Sequence, residues 1–225
     1  TMANLKLVKS LWGVDDHLMK VENWPKLFKK IKDEGFSAIE AISMFIRQDP
    51  ARLVAELQAA GLKLIVQLHC TGGSTHSDGT YYVMSSRSVA DHIASFTSLV
   101  EEAVKLVGPV LVLINSHSGH DSWGVDEAVT FLKTALEVES RVGVPITHET
   151  HRIRMFWNPY ITRDVLKQPG MEHVKVNADL SHFVVVCERA FNMEPKVFGV
   201  DDWWPEVLAL IASRCWLIHT RVGYG

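Results

Sequence analysis

The feature that most constrains this chain is a repeat. A short apolar, β-branched run ends in a polar residue, and an amphipathic helix then follows that glycine stops. Strand ends fall near Trp12, Glu40, His69, Asn115, Glu149, Asp179 and His219, roughly 30 to 45 residues apart, which is the length of one βα unit. The periodicity predicts strands over 5–11, 36–42, 62–68, 110–114, 144–147, 174–176 and 216–218. It predicts helices over 24–33, 51–60, 89–107, 126–141, 161–167, 183–191 and 204–212, with Gly35, Gly61, Gly108-Pro109 and Gly143 as stops.

Near-continuous apolar strands separated by helices imply a parallel sheet covered on both faces, either a barrel or an open doubly wound sheet. No G-x-G-x-x-G or Walker loop follows the first strand, so the nucleotide-binding form of the open sheet loses its main support. The expected fold class is α/β, a (β/α)8 TIM barrel forming a single domain over residues 1–225. Seven strands are read. The eighth is expected beyond Gly225, because 221–225 is loop-like, so the barrel is expected to be incomplete at its C-terminus.

Charge and composition exclude several functions. With 23 Lys plus Arg against 26 Asp plus Glu, the net charge of -3 lacks the basic surplus of a protein that binds nucleic acid by neutralising phosphates. A hydrophobic fraction of 47% excludes disorder. No apolar run approaches the ~20 residues that span a bilayer, and no sustained apolar stretch near the N-terminus reads as a secretory signal. Cys70, Cys187 and Cys215 are odd in number and unrelated in spacing, which suits free thiols in a reducing compartment. The expectation is a cytoplasmic protein with no membrane or nucleic-acid partner, compatible with homo-oligomerisation.

The chemistry lies at the strand ends. A barrel brings them to one rim, where active sites of this architecture are built. For Glu40 or Asn115 alone, a cap or loop role is the simpler account. Glu149, Asp179 and His219 together read as a site. Two carboxylates and an imidazole suit Mn²⁺ or Mg²⁺ first, and Co²⁺ or Zn²⁺ also. The segment 146–152, Ile-Thr-His-Glu-Thr-His-Arg, is not the zinc-protease motif, because His148 and His151 stand three apart at the end of a strand. Alternation sends Glu149 and His151 to one side and His148 to the other. The loop 115–123 adds His117 and His120 as candidates for substrate or metal. Trp12, Trp123, Trp157, Trp203 and Trp204 lie in or beside loops, where packing is the first expectation for any one of them and stacking on a bound ligand the second.

The order of these pieces resembles the xylose-isomerase-like barrel superfamily of sugar isomerases, ketose epimerases, inosose dehydratases and type IV endonucleases. The matching residues are Gly35-Phe36-x-x-Ile39-Glu40, Glu149, Asp179-x-x-His182 and Ile218-His219 with Arg221. The resemblance implies a metal held by Glu149, Asp179 and His219, with a fourth carboxylate that has no counterpart before Gly225. It implies an isomerase, epimerase or related dehydratase acting on the carbonyl of a sugar or polyol by proton abstraction. Glu149 is then the base, His182 the acid or orienting group, and His69, His117, His182 and Arg221 the substrate-binding residues. Two alternatives stand beside it. His69, Glu149, Asp179, His182 and His219 also fit part of the ligand pattern of a type IV endonuclease-like zinc phosphodiesterase. The missing fourth carboxylate instead fits a non-catalytic sugar-binding barrel.

Overall fold

The computed structural model describes residues 5–71, 86–188 and 204–220. Its fold is α/β and TIM-barrel-like, with seven parallel strands that follow one another in chain order. The strands are β1 (Val8–Ser10), β2 (Ala38–Ile42), β3 (Lys63–His69), β4 (Leu111–His117), β5 (Ile146–Glu149), β6 (Lys175–Ala178) and β7 (Cys215–Ile218). The helices are α1 (Trp24–Asp33), α2 (Ser43–Ile46), α3 (Pro50–Ala60), α4 (Val89–Val107), α5 (Val125–Val142), α6 (Pro159–Leu166), α7 (Ser181–Cys187) and α8 (Trp204–Ala212). Among the described residues no strand follows β7. No helix among them is long and apolar enough to cross a membrane.

Local chemistry explains the helix boundaries. At α3 the Asp49 side chain accepts from Arg52 N and Pro50 opens the first turn, where its missing N–H costs nothing. The helix stops at Gly61, whose φ of 65° lies in the left-handed region that glycine adopts without a Cβ penalty. Asn158 caps α6 in the same way, accepting from Tyr160 N and Ile161 N ahead of Pro159. The expected helix over 183–191 is observed as Ser181–Cys187, and the remainder of that range lies outside the described residues. The one-turn helix α2 was not expected from sequence, because Ser-Met-Phe-Ile prolongs the apolar run of β2 and is too short to show a helical period.

Two compact units make up the chain. The first comprises Thr1–Leu68, Ser98–Asn115 and Val142–Pro145. In it β1 pairs with β2 and β2 with β3, all parallel, with Ser10 opposite Glu40 and Glu40 opposite Ile65. Helix α1 turns Leu27, Phe28 and Ile31 inward and packs on α3, whose Leu53 and Leu57 are buried. The Trp24 ring lies 5.1 Å from Phe45 and 6.1 Å from Phe28.

The second unit comprises His69–Thr97, Ser116–Arg141 and Ile146–Gly225. Here β5 pairs with β6 and β6 with β7, with Glu149 opposite Asn177. All four residues of β5 are buried. Phe131 is its aromatic centre, 5.3 Å from Phe96 and 5.8 Å from Trp123. Trp123 is buried and its indole N–H donates to Arg87 O at 2.7 Å, so this tryptophan packs, as expected first for any of the five.

Candidate functional site

The second unit gathers most of the strand-end residues that the sequence singles out. Glu149 ends β5, His69 ends β3 and His117 ends β4, while Asp179 and His219 directly follow β6 and β7. Glu149 and Asp179 are both almost wholly buried. Their carboxylates and the His219 ring place one ligand atom each within 4.8 Å of one another. His219 Nδ1 lies 3.5 Å from Glu149 Oε2 and 3.7 Å from Asp179 Oδ2. His182, the second residue of α7, brings its Nε2 to 3.7 Å from Asp179 Oδ2.

A second group shares Glu149. His117 Nε2 lies 2.8 Å from Glu149 Oε2, and His117, Glu149 and His151 also have their ligand atoms within 4.8 Å. The His151 ring stands 4.5 Å from His117 and 4.0 Å from His182, and the His69 ring 4.5 Å from His117. Four imidazoles therefore run in sequence past one buried carboxylate. His151 Nδ1 donates to the Arg152 carbonyl, which leaves Nε2 with its lone pair.

This geometry shifts the titrations. Burial alone would push the Glu149 carboxyl up, but His117 and His219 outweigh it and hold the group well below the usual carboxylate range. Burial, with His117 and Arg154 adding to it, pushes His69 well below the ordinary imidazole value. His151 falls to about 3, chiefly by burial and then by His117 and His182. The cluster thus favours an anionic Glu149 beside neutral His69 and His151, groups whose oxygen and nitrogen lone pairs can hold a cation.

Two contributors escaped the sequence reading. Asn177, in β6 and wholly buried, donates through Nδ2 to Glu149 Oε2 at 3.0 Å and approaches His219 Nε2 at 3.2 Å. Its Oδ1 is buried with no hydrogen-bond partner among the described residues. The signal was available, since period two puts Asn177 on the same side of β6 as Asp179. Arg154 is 1% exposed and donates through Nη1 to Cys70 O at 3.0 Å, a role that a loop position gives no periodic reason to expect. His120 joins neither group; its Nδ1 accepts from Ser122 N and faces Asp121 Oδ1, both at 3.0 Å. Arg221 lies outside the described residues.

The loops after β4 and β5 are locked together beside this cluster. Met155 N donates to Ser118 O at 3.0 Å, and the next residue, Gly119, has a φ of +70°. A Cβ there would sit 2.6 Å from Met155 Cβ and 2.8 Å from the Trp123 ring. Gly119→Ala is therefore expected to destabilise the protein by about 2–4 kcal/mol, the sum of a left-handed penalty and overpacking. Urea denaturation measures it, and a loss under about 0.5 kcal/mol would mean that the two loops part freely.

With the geometry in place, the chain can be set beside known proteins. A model of the family described as Xylose isomerase-like TIM barrel matches residues 28–215. No curated protein matches. A sugar phosphate isomerase/epimerase from Parabacteroides distasonis is similar in structure, with TM-score 0.61 and 11% identity over 100% of this chain and 89% of that one. A Xylose isomerase-like TIM barrel protein from Mycobacterium smegmatis, solved in complex with magnesium, gives TM-score 0.61 and 12% identity over 96% and 74%. An AP endonuclease, family 2, from Brucella melitensis gives TM-score 0.56 and 11% identity over 95% and 92%. At these identities the structural likeness speaks for the fold.

Proposed function

The chain belongs to the Xylose isomerase-like TIM barrel family, and from the donor set it carries we propose that it is a divalent-metal-dependent isomerase or epimerase, or a related dehydratase, acting on a sugar or polyol carbonyl. The observation that carries this reading is the meeting of Glu149, Asp179 and His219 ligand atoms within 4.8 Å, two of the three residues being buried. Two carboxylate oxygens and one imidazole nitrogen fit Mn²⁺ or Mg²⁺, with Co²⁺ or Zn²⁺ as further options. Magnesium is the ion in the Mycobacterium smegmatis protein.

An ion held there would polarise a substrate carbonyl and acidify the neighbouring C–H. The protein's own residues do the rest. Glu149, kept anionic by His117 and His219, takes the proton from that carbon. His182, buried beside Asp179, orients a substrate oxygen or returns the proton. His69 and His117 supply further polar contacts from the ends of β3 and β4, and the resemblance adds Arg221, which lies outside the described residues. The substrate is a small sugar or polyol, with no nucleic-acid or membrane partner. The three free cysteines accord with a cytoplasmic setting.

The test has two parts. Mn²⁺ titration of chelator-treated protein is expected to show one site that Asp179→Ala removes. Wild-type protein with Mn²⁺ is expected to exchange hydrogen with D₂O at the carbon beside the carbonyl of at least one ketose, aldose or inosose. Ion binding without exchange on any of them would favour a sugar-binding barrel over an enzyme. Asn177 provides a finer check, because ligand groups are held in place by the hydrogen bonds behind them. Asn177→Leu keeps the size and deletes both contacts, and is expected to weaken Mn²⁺ binding about 10- to 100-fold. Unchanged affinity would show that Glu149 and His219 need no such support.

One observation favours a second reading. The His117, Glu149 and His151 group makes Glu149 a potential bridge between two ions, as a zinc phosphodiesterase of the type IV endonuclease kind would require. A Zn²⁺ stoichiometry of two or more, together with cleavage of abasic DNA, would establish it. The net charge of -3 weighs against a DNA substrate.

A further inference from the structure

Behind the site lies a second set of buried polar side chains, which the function proposed above does not use. Cys70, Ser116, Ser118 and His148 are each at most 3% exposed. They form one connected chain. Cys70 Sγ lies 3.5 Å from Ser116 Oγ, and Ser118 Oγ lies 2.7 Å from Ser116 Oγ and 2.8 Å from His148 Nδ1. Left unpaired, such groups would each cost stability, and apolar side chains would fill the same space without that cost. What a fully paired buried chain adds is a single geometry.

Its members are interleaved with the site residues. Cys70 follows His69, Ser116 and Ser118 flank His117, and His148 precedes Glu149. Neighbours along a strand point to opposite faces, so the chain crosses the backs of β3, β4 and β5 at the ends that carry His69, His117 and Glu149. The strands stop at this level. Cys70 and Ser118 lie just past the last residues of β3 and β4, the Cys70 N–H reaches the His117 carbonyl only at 3.4 Å, and Thr71 turns away with a φ of 61°. Cys70 is nevertheless a fixed end, because its carbonyl accepts from Arg154 Nη1 at 3.0 Å and from Thr71 Oγ1 at 2.6 Å. Side chains thus take over from the backbone ladder where the site residues have to be placed.

We infer that Ser116 and Ser118, the two middle links of this chain, are positioning residues: acting through the backbone, they set where His69, His117 and Glu149 stand, residues whose chemical roles rest on the function proposed above.

The readout is the pair of ring ¹⁵N signals of His117 in the metal-free, ¹⁵N-histidine-labelled full chain at fixed pH. His117 Nε2 lies 2.8 Å from Glu149 Oε2, and its signal follows that contact. His117→Gln identifies the two signals. Ser118→Ala and Ser116→Ala cut the chain at neighbouring links, so the test stands on either one where the other fails to fold, and each is expected to displace the His117 signals. Val165→Ala, which opens a gap on the buried face of α6, is expected to cost stability and leave them in place. With Mn²⁺ saturating, hydrogen exchange at the substrate carbon is expected to slow about tenfold in each serine variant and to stay unchanged in Val165→Ala. His117 signals unmoved in the serine variants would overturn the inference, and so would an equal displacement in Val165→Ala. Signals displaced in the serine variants alone, with no exchange by any form of the protein, would uphold the positioning and count against the proposed enzyme.

Discussion

Glu149→Gln is expected to lower turnover by at least about 10²-fold at saturating divalent ion, within the ~10²–10⁴-fold that a general base contributes. Glutamine keeps the size and one oxygen, so ion binding weakens while the base is gone altogether. The carboxylate is suited to that work by position. It is 2% exposed, accepts from Asn177 and faces the His117 and His219 nitrogens at 2.8 and 3.5 Å. Those imidazoles hold its pKa well below the usual range, so it is ready to accept a proton at neutral pH. The same contacts moderate its basicity, and acidification of the substrate C–H has to make up the difference. Hydrogen exchange at the substrate carbon, measured with the ion saturating, separates the two roles of Glu149. Exchange at the unmodified rate in Glu149→Gln would assign the base to another residue, while slow exchange with the ion still bound would confirm Glu149.

How much of this was legible depended on the kind of signal. The helix expected over 24–33 is observed as Trp24–Asp33, because an amphipathic period and glycine stops act locally. Strand ends were legible where an apolar run met a polar residue at His69 and Glu149, while β2 and β4 each run two residues past the ends read at Glu40 and Asn115. Alternation along β5 also held beyond its end. His151 lies with Glu149 beside His117, while His148 turns away to Ser118 and the Phe96 and Phe131 rings. What stayed illegible depends on contacts between residues distant in sequence. For Glu40 alone a cap or loop role was the simpler account, yet within the expected strand its carboxylate accepts from Asn115, 75 residues away. Arg154 gave no signal in the sequence, and its burial is understood from contacts such as the one it makes to the carbonyl of Cys70.

His148 leads to the second large effect, on stability against acid. The residue is 3% exposed, with Ser118 Oγ 2.8 Å from its Nδ1 and two phenylalanine rings about it. Burial lowers its pKa to about 3, and the positive charge of Lys175 adds to the effect. In the unfolded chain the imidazole titrates near ~6.5. Between those two values the unfolded state binds a proton that the folded state refuses, so stability falls as the pH drops from ~6.5 toward 3. The full difference is worth roughly 5 kcal/mol, a large share of a typical folding free energy.

His92 and His151, lowered to about 4 and about 3, and His69 have the same sign and the same upper limit. Glu149 acts in a different window. Its depressed pKa contributes stability above the ordinary carboxylate value of ~4.3, and that contribution is lost only as the pH falls below it. From ~6.5 down to ~4.5 the loss therefore belongs to the buried imidazoles. His148→Asn presents Ser118 with an amide in place of the ring nitrogen and cannot titrate. In urea denaturation of metal-free protein, this substitution is expected to reduce the slope of stability against pH in that window by about 1.4 kcal/mol per unit, one proton's worth. An undiminished slope would mean that His148 is protonated in the folded protein, and that the pocket formed by Ser118, Phe96 and Phe131 is open to water.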